Sequence, residues 1–398
     1  MPTLRRTRGC ELEPPLPLAC TEDNTPLLDD NKPLLPKRLL NLLSALGRFA
    51  RRNKTSPTAL LLQAWRVRRK AGFGPGEALA AGLLDPRVPD AAFAGRIPKQ
   101  RLIAAQRRVN PRGLECLTED KAIFYVYCAA LGLPTPRLLA VCSGSAGFTA
   151  AGQALGGFEA WERLFRSLPD EFVVKPADGV YGRGLQVFRR SGDDFIEARG
   201  TRLSSAGLHE RFAWGGSSRK LVVQERLFSH PALERLSGTR SLQTLRVVTY
   251  AEPDGGVGVY DALFKIIVGD SLVDNFQDGR SGNLIARTRL VDGVLGPAVG
   301  PSPDGVGLAS YVDHPHTGVS ICGLPLPGFA EALGLVRRAA QFFLPLRTIG
   351  WDVALTASGP VLVEGNVWWD PFNAIVLPLP EGYVGPEGIA QLLPLLRA

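Results

Sequence analysis

A hairpin near the carboxyl end of the sequence places acidic side chains on one face of a β-sheet. Residues 349–366 contain two runs with the two-residue alternation of strands, and Ala357-Ser358-Gly359 between them suits a three-residue loop whose glycine is left-handed. Such a loop pairs Asp352 directly with Glu364, and the alternation puts Asn366 on the same face. The opposite face is then wholly apolar, with Trp351, Val353, Leu355, Val361 and Val363.

Two carboxylates in directly opposed positions repel each other, because their Cβ atoms lie only about 4.5–5.5 Å apart. A hard divalent cation relieves this repulsion, and Mg²⁺ is typically shared between a couple of carboxylates, an amide oxygen and substrate phosphates. The hairpin therefore predicts a magnesium site formed by Asp352, Glu364 and Asn366. The alternatives are a lysine or arginine from a neighbouring strand, or one carboxyl that stays protonated.

A glycine-rich loop between two strand patterns is a candidate phosphate site. Lys175 ends the first strand, and Gly179, Gly182 and Gly184 follow before the second strand begins near Leu185. Glycines let backbone N–H groups approach an oxyanion closely, and the lysine adds a positive charge. By themselves such glycines also fit an ordinary turn. The P-loop pattern is absent from the sequence, and a strand rather than a helix follows the loop, which excludes a dinucleotide-binding turn.

Two basic residues stand inside apolar strand patterns. Arg246 lies in Thr244-Leu245-Arg246-Val247-Val248, and Lys265 lies in Leu263-Phe264-Lys265-Ile266-Ile267. A charge embedded in an apolar strand requires an acidic partner, because burial of an unpaired charge is costly. The carboxylate pair of the hairpin and a bound polyphosphate are both candidates for this partner.

The positive charge of the chain is confined to its amino-terminal part. The net charge is +8, and residues 1–70 contain 14 Lys and Arg against 6 Asp and Glu, so that the remaining chain is neutral. The neutral body argues against nucleic acid as the main partner, whereas the basic leader either contacts acidic lipid peripherally, contacts nucleic acid, or forms solvated helix faces. Prolines predict a mobile tail over residues 1–36, and apolar spacing predicts two basic amphipathic helices between Lys37 and Lys70, broken near Ser56-Pro57.

The rest of the chain has the pattern of a globular protein in which sheet dominates the carboxyl-terminal body. Helices are expected at 115–131, capped by Thr118 and ended by Gly132, and between Phe329 and Leu344. The six cysteines form no C-x-x-C pair and no short framework, which favours a reducing cytoplasm. The sequence contains no uninterrupted run of about 18 apolar residues, so no membrane-spanning helix is expected. Seven strands are expected, at 172–175, 185–188, 221–225, 242–250, 257–268, 349–355 and 361–366.

The order of these elements resembles the ATP-grasp superfamily, and more specifically its sugar-transfer-associated branch. The resemblance spans roughly residues 60–375 and rests on the motifs Asp120-Lys121, Val174-Lys175-Pro176, Val223-Gln224-Glu225, Ser229-His230-Pro231, Thr244-Leu245-Arg246, Val273-Asp274-Asn275, His314-Pro315, Ile349-Gly350-Trp351-Asp352 and Glu364-Gly365-Asn366. It implies an α+β ATP-grasp fold with the nucleotide between two α+β subdomains and a helical amino-terminal region.

The resemblance also implies a role for each matching residue. It implies that ATP and Mg²⁺ are the cofactors, that Lys121 and Lys175 contact the phosphates and the adenine site, and that Arg246 with Lys265 faces the transferring phosphate. The positions implied around the nucleotide are Gly179, Gly182, Gly184, Gln224, Glu225, Leu227 and His230, the last beside the ribose. The implied domains are a tail (1–36), a basic helical region (37–110), two subdomains with the glycine loop (111–227), a subdomain with the hairpin (228–375) and an extension (376–398).

Enzymes that resemble this chain join a carboxylate to an amine through an acyl phosphate. The expected function is therefore an ATP-dependent ligase with an unidentified small-molecule or glycan acceptor, in cell-surface glycan or small-metabolite biosynthesis. Phosphoryl transfer to a hydroxyl would use the same nucleotide site, and a non-catalytic binding protein that uses the basic leader is the third hypothesis. No G-x-S-x-G, H-E-x-x-H or kinase H-R-D motif offers another catalytic centre.

Overall fold

A computed structural model describes most of the chain: residues 35–93, 96–144, 146–179, 182–214, 220–303 and 307–370. The predicted tail lies almost entirely outside these residues, and the predicted extension lies entirely outside them. The chain divides into two units, residues 1–44 and residues 45–398, and within the described part of the first unit the backbone is helical.

The described helices include the two predicted at the amino-terminal side. Ser56 caps the second of them, because its hydroxyl oxygen accepts from Ala59 N, and Gly72 ends it in the left-handed conformation at φ +83°. The helices are α1 (Leu35–Arg52), α2 (Pro57–Ala71), α3 (Pro75–Ala80), α4 (Lys99–Val109), α5 (Cys116–Glu119), α6 (Lys121–Ala130), α7 (Phe158–Ser167), α8 (Ser205–Trp214), α9 (Pro231–Ser237) and α10 (Phe329–Phe342). No helix among the described residues is both long and apolar enough to cross a bilayer.

The start of α6 differs from the sequence prediction. Thr118 was expected to cap a continuous helix, but it lies inside the short helix α5 and donates to Glu115 O. Asp120 is the cap, and its carboxylate accepts from the backbone N–H groups of Ala122 at 2.9 Å and Ile123 at 3.1 Å. A carboxylate bonds two of the unpaired N–H groups at a helix start, whereas the threonine hydroxyl is used one turn earlier.

Fourteen strands occur in the described residues, and all seven predicted strands are among them. They are β1 (Leu138–Ser143), β2 (Ala146–Thr149), β3 (Glu171–Pro176), β4 (Gln186–Ser191), β5 (Asp194–Glu197), β6 (Arg202–Leu203), β7 (Lys220–Glu225), β8 (Thr244–Ala251), β9 (Val257–Ile266), β10 (Leu284–Thr288), β11 (Leu295–Pro301), β12 (Leu308–Tyr311), β13 (Thr348–Thr356) and β14 (Gly359–Asn366).

The strands form two antiparallel sheets, and each sheet is covered by helices. The first sheet has the order β2-β1-β7-β3-β4-β5-β6, and one of its faces packs on α7 and α8 through a core that includes Trp161 and Phe172. The second sheet has the order β12-β11-β10-β9-β8-β13-β14, and α10 and α6 contribute to the core on one of its faces. The α+β class predicted from the sequence is confirmed.

The register of the β13–β14 hairpin differs from the predicted one at its turn. Thr356 pairs with Gly359, so that the connecting turn is one residue shorter than expected, and Val353 pairs with Leu362. The register then shifts, and Asp352 opposes Glu364 as predicted. Val363 is the extra residue of this β-bulge.

Between the turn and the bulge, each side chain of β14 lies on the sheet face opposite to the predicted one. Leu362 is fully buried in the core with Trp351 and Leu355, the place that the sequence assigned to Val361 and Val363. The assignment of those two valines to the core face is therefore wrong. Pro360 lies on β14, which is an edge strand of the sheet, as a residue without an N–H requires.

Candidate functional site

The strand order of the second sheet gathers the predicted basic and acidic residues. β13 lies between β8 and β14, so that Asp352 pairs with Arg246 on one side and with Glu364 on the other. Arg246 Nε donates to Asp352 Oδ1 at 2.7 Å and Arg246 Nη2 donates to Oδ2 at 3.0 Å, while Lys265 Nζ donates to Oδ1 at 2.9 Å. Asp352, Arg246 and Lys265 are all buried. Asp352 is thus held by two cations, the arrangement that the sequence left open as an alternative to metal binding.

The two cations determine the charge of Asp352. Burial alone would raise the pKa of its carboxyl, but the charges and hydrogen bonds of Arg246 and Lys265 hold that pKa well below its usual range. In turn Asp352 raises the pKa of Arg246 in spite of burial. Asp352 and Arg246 are therefore both ionised within this buried cluster.

Asp274 joins this cluster, although the sequence analysis gave it no role. Its Oδ1 lies 3.9 Å from Lys265 Nζ, and its Oδ2 accepts from the backbone N and the hydroxyl of Thr244 at 2.7 and 2.5 Å. Burial raises the pKa of Asp274, with Lys265 opposing this effect. The signal was its place in the Val273-Asp274-Asn275 motif, but nothing local indicated that the motif lies beside Lys265.

Lys121 connects three elements at the hairpin. Its Nζ lies 3.6 Å from Glu364 Oε1 and donates to Gly179 O in the glycine loop at 2.6 Å, and its backbone N–H donates to Ala177 O. Asp120, the cap of α6, forms an ion pair with Lys220 on β7. The amino terminus of α6 is therefore joined to the glycine loop, to the first sheet and to the acidic face of the hairpin.

A second connection runs from Lys175 to the β-bulge through Tyr125 on α6. Lys175 Nζ donates to Tyr125 Oη at 2.9 Å, and Tyr125 Oη donates to the carbonyl oxygen of Val363 at 3.0 Å. Val363 is the residue that the bulge leaves without a cross-strand partner, so the tyrosine hydroxyl supplies the hydrogen bond that the strand pair lacks. Sequence reasoning missed Tyr125, because its position on an apolar helix face is typical of a core residue.

Burial also sets the protonation of Lys175. The pKa of its amine falls from 10.5 to about 7, because burial and the positive charge of Lys121 outweigh the carboxylates of Glu364 and Asp352. The amine is thus poised to accept a proton when a negative charge arrives.

The residues predicted to surround the adenine and the ribose do not all lie on the same face of the sheet. Gln224 on β7 shares a sheet face with Lys175, and its Oε1 is buried without a hydrogen-bond partner. Glu225 points to the other face and accepts from Arg137 N at 2.8 Å, and Leu227 follows the strand, half-buried. His230 caps α9 through its Nδ1 and donates its N–H to Leu355 O, three residues along β13 from Asp352. The structure therefore does not bring His230 to the cluster.

The glycine loop approaches the Asp274 segment closely. Gly182 and Gly184 have φ of +69° and +74°, and a Cβ on Gly182 would lie 2.8 Å from Val273 Cγ1. The loop therefore requires glycine at position 182 for both reasons. Gly179 contributes its carbonyl oxygen to Lys121 rather than a free N–H, because its own N–H donates to Pro176 O.

The residues present fit a nucleotide and Mg²⁺ in part. An unpartnered amide oxygen on Gln224 and two lysines beside a glycine loop suit an adenine edge and its phosphates. For the metal, Glu364 is one-quarter exposed and Asn366 uses only its amide nitrogen, which donates to Gly350 O. No group of three Cys, His, Asp or Glu suits a metal within the described ranges. The donor set is thus a carboxylate and an amide oxygen, and phosphate oxygens and water would complete it.

The comparisons with known proteins agree with this architecture. The family model "Sugar-transfer associated ATP-grasp" matches residues 100–376. The chain belongs to this family. The predicted resemblance is confirmed, and with it the ATP-grasp fold. No curated protein matches the sequence significantly.

Among solved structures, an ADP complex of N5-carboxyaminoimidazole ribonucleotide synthetase is 12% identical with a TM-score of 0.38, and the match covers 70% of this chain and 53% of that one. D-alanyl-alanine synthetase A from Vibrio cholerae is 11% identical with a TM-score of 0.38, covering 72% and 66%. Biotin carboxylase from Campylobacter jejuni is 12% identical with a TM-score of 0.41, covering 75% and 51%. The match thus spans about half the length of the first of these structures.

Proposed function

We propose that this chain is an ATP- and Mg²⁺-dependent ligase that activates a substrate carboxylate as an acyl phosphate for attack by an amine. The observation that carries the proposal is the convergence of four buried basic side chains, Lys121, Lys175, Arg246 and Lys265, around the hairpin that bears Asp352 and Glu364, with Lys175 connected to it through Tyr125. Asp352 and Glu364 pair with three of these side chains, whereas Lys175 forms no ion pair among the described residues, and burial lowers its pKa to about 7. Lys175 would therefore take up a proton, and with it a positive charge, on binding an anion. Membership in the ATP-grasp family supports a nucleoside triphosphate as that anion.

Each element has a part in binding. Lys121, Lys175 and the glycine loop would contact the phosphates, and Gln224 would offer its unpartnered Oε1 to the amino group of adenine, with Leu227 at the adenine edge. These contacts use groups that the fold already holds in place, which reduces the cost of ordering on binding. The proposal gives the side chain of Glu225, which points to the other face of the sheet, no contact with the base. The proposal gives His230 no contact with the nucleotide.

Glu364 and Asn366 would hold Mg²⁺ together with phosphate oxygens, and the bound ion would supply neutralisation of phosphate charge. In this arrangement Asp352 contributes indirectly, because its carboxylate orients Arg246 and Lys265. Those two cations are the groups proposed to face the transferring phosphate.

The reaction that this site suits is two successive displacements. A carboxylate oxygen of the substrate forms a bond to the γ-phosphorus while the bond from that phosphorus to ADP breaks. An amine nitrogen then attacks the carbonyl carbon, inorganic phosphate leaves, and the amine loses a proton. Positioning and charge neutralisation are what phosphoryl transfer requires of a protein. We propose an acceptor in glycan or small-metabolite assembly by analogy with the family name, and a cytoplasmic location from the absence of paired cysteine motifs in the sequence.

The test is ADP release by Glu364→Gln, compared with the parent and with the control Glu331→Gln, an exposed residue on α10. With Mg-ATP and mixtures of candidate acids and amines, we expect Glu364→Gln to lose roughly a hundredfold or more in turnover. We expect its free energy of unfolding to stay within about 1 kcal/mol of the parent, since Glu364 is partly exposed and pairs only loosely with Lys121.

Turnover near the parent rate in Glu364→Gln would show that the assigned site is wrong. The product decides the reaction class: mass spectrometry should detect an amide and inorganic phosphate. A phosphorylated acceptor would instead assign the chain to phosphoryl transfer to a hydroxyl, at the same nucleotide site.

A further inference from the structure

Helix α2 carries a second apolar face that no part of the described chain covers. Leu60, Val67 and Ala71 on its inner face are buried in a core with residues such as Phe73 and Leu83. On the outer face, Leu61, Leu62 and Trp65 are 67%, 59% and 55% exposed. Helical spacing continues this face through Arg68 and Arg69, which are both exposed. These five residues, 61, 62, 65, 68 and 69, are called here the outer stripe.

The charge around the outer stripe has one sign. Residues 35–71 contain ten lysines and arginines and no aspartate or glutamate. Two cations on the flank of α2, Arg66 and Lys70, are paired with Asp90. In contrast, Arg69 lies over the Trp65 ring at 5.2 Å and Arg68 donates to a backbone carbonyl. Neither arginine of the stripe has a carboxylate partner in the part of the chain that the structure describes.

Apolar side chains followed by unpaired cations match the chemistry of an anionic lipid surface. Tryptophan partitions to the headgroup level, leucines are buried in the acyl boundary, and arginines near the surface are attracted by acidic headgroups. A nucleic acid would engage the arginines but would leave Leu61 and Leu62 in water. We propose that the outer stripe of α2 docks this protein on anionic membranes, with Leu61, Leu62 and Trp65 inserted and Arg68 and Arg69 at the headgroups.

The experiment is co-sedimentation of the full chain with vesicles of phosphatidylcholine, with and without phosphatidylserine. We expect binding only to the anionic vesicles and weakening by salt. Neutralisation of the stripe in Arg68→Gln with Arg69→Gln should lower the partition constant about thirtyfold. Leu61→Ser with Trp65→Ser should lower it by roughly tenfold or more. The matched control is Val291→Ser, an apolar residue that is 84% exposed in the β10–β11 connection and should leave binding unchanged.

Depth of insertion gives a second measurement. Lipids brominated on their acyl chains should quench tryptophan emission in the parent, and Trp65→Phe should abolish that quenching. Since the stripe residues are exposed, thermal denaturation should be unchanged in all variants. The proposal is overturned if the parent ignores anionic vesicles, or if the stripe variants bind like the control. It is also overturned if an oligonucleotide binds more tightly than the vesicles, or if Leu61→Ser with Trp65→Ser changes the oligomeric state instead. None of these outcomes depends on ATP turnover.

Discussion

The hydroxyl of Tyr125 can be removed while its ring stays in place, which makes Tyr125→Phe a direct test of the connection between Lys175 and the β-bulge. The side chain is 1% exposed, and the ring of Phe124 lies 5.7 Å away, edge to face. The substitution deletes only the oxygen that accepts from Lys175 Nζ and donates to Val363 O.

The cost follows from the two groups that lose their partner. A buried polar group left unsatisfied costs about 1–3 kcal/mol, so loss of both hydrogen bonds should lower the free energy of unfolding by about 2–6 kcal/mol. Tyr127→Phe is the matched control on the same helix. Tyr127 Oη donates to Phe342 O at 2.7 Å in an exposed setting, where water can replace the tyrosine. Its loss should therefore cost only about 0.5–1 kcal/mol.

Urea unfolding followed by circular dichroism measures both variants. The reasoning is refuted if Tyr125→Phe costs no more than Tyr127→Phe. Because the bulge sets the register of Glu364, we also expect Mg-ATP to raise the melting temperature of Tyr125→Phe less than that of the parent or of Tyr127→Phe. An equal rise in all three proteins would show that the bulge does not depend on this hydroxyl for its function.

Two further predictions concern charge. The pKa of Lys175 is lowered to about 7 by burial and by Lys121, so the protein should take up close to one proton when it binds phosphate at pH 8. Calorimetry in two buffers measures this proton uptake, which should be absent in Lys175→Met. Without ligand, Lys175 of the unfolded chain keeps its proton up to its ordinary pKa of 10.5, whereas Lys175 of the folded chain loses it near pH 7. Lys175 therefore makes the free energy of unfolding rise between pH 7 and 10.5. A free energy of unfolding that does not change with pH in the parent, or that changes equally in Lys175→Met, contradicts this. Asp352→Asn removes the buried carboxylate that pairs with both Arg246 and Lys265 and should cost about 3–5 kcal/mol in urea unfolding, whereas a loss under about 1 kcal/mol would show that the pairing is dispensable. In the parent the depressed pKa of Asp352 adds stability above pH 3.8, which should be lost progressively as the pH falls below that value.

The hairpin shows how far local rules reach. Alternation and the glycine at position 359, whose φ is +113°, were sufficient to predict two paired strands with Asp352 opposite Glu364. The turn came out one residue shorter, and the bulge at Val363 restored the predicted pair. A bulge adds one unpaired residue to a strand, and this one is stabilised by the hydroxyl of Tyr125, which lies 238 residues away in the sequence. No pattern within the hairpin contains that information.

The acidic partner of Arg246 and Lys265 could likewise not be predicted from the local sequence. An arginine and a lysine inside apolar strands require an acid, and this much follows from the cost of burying charge. Which acid they meet depends on strand order: β13 is inserted beside β8, about a hundred residues later in the chain, and so brings Asp352 to Arg246. The sequence left a metal and a basic neighbour as alternatives, and only the sheet order favours the basic neighbour for Asp352.

The amino-acid order alone determined the features whose deciding contacts are local: the break between α1 and α2 at Ser56, the alternation of the strands, and the need of buried charges for partners. Tertiary structure decided what depends on distant segments: the β-bulge, the pairing of Asp352, and the link from Lys175 through Tyr125 to the hairpin. The reason is physical. Backbone geometry and solvation act within a few residues, whereas a hydrogen bond across two sheets exists only after the chain has brought them together.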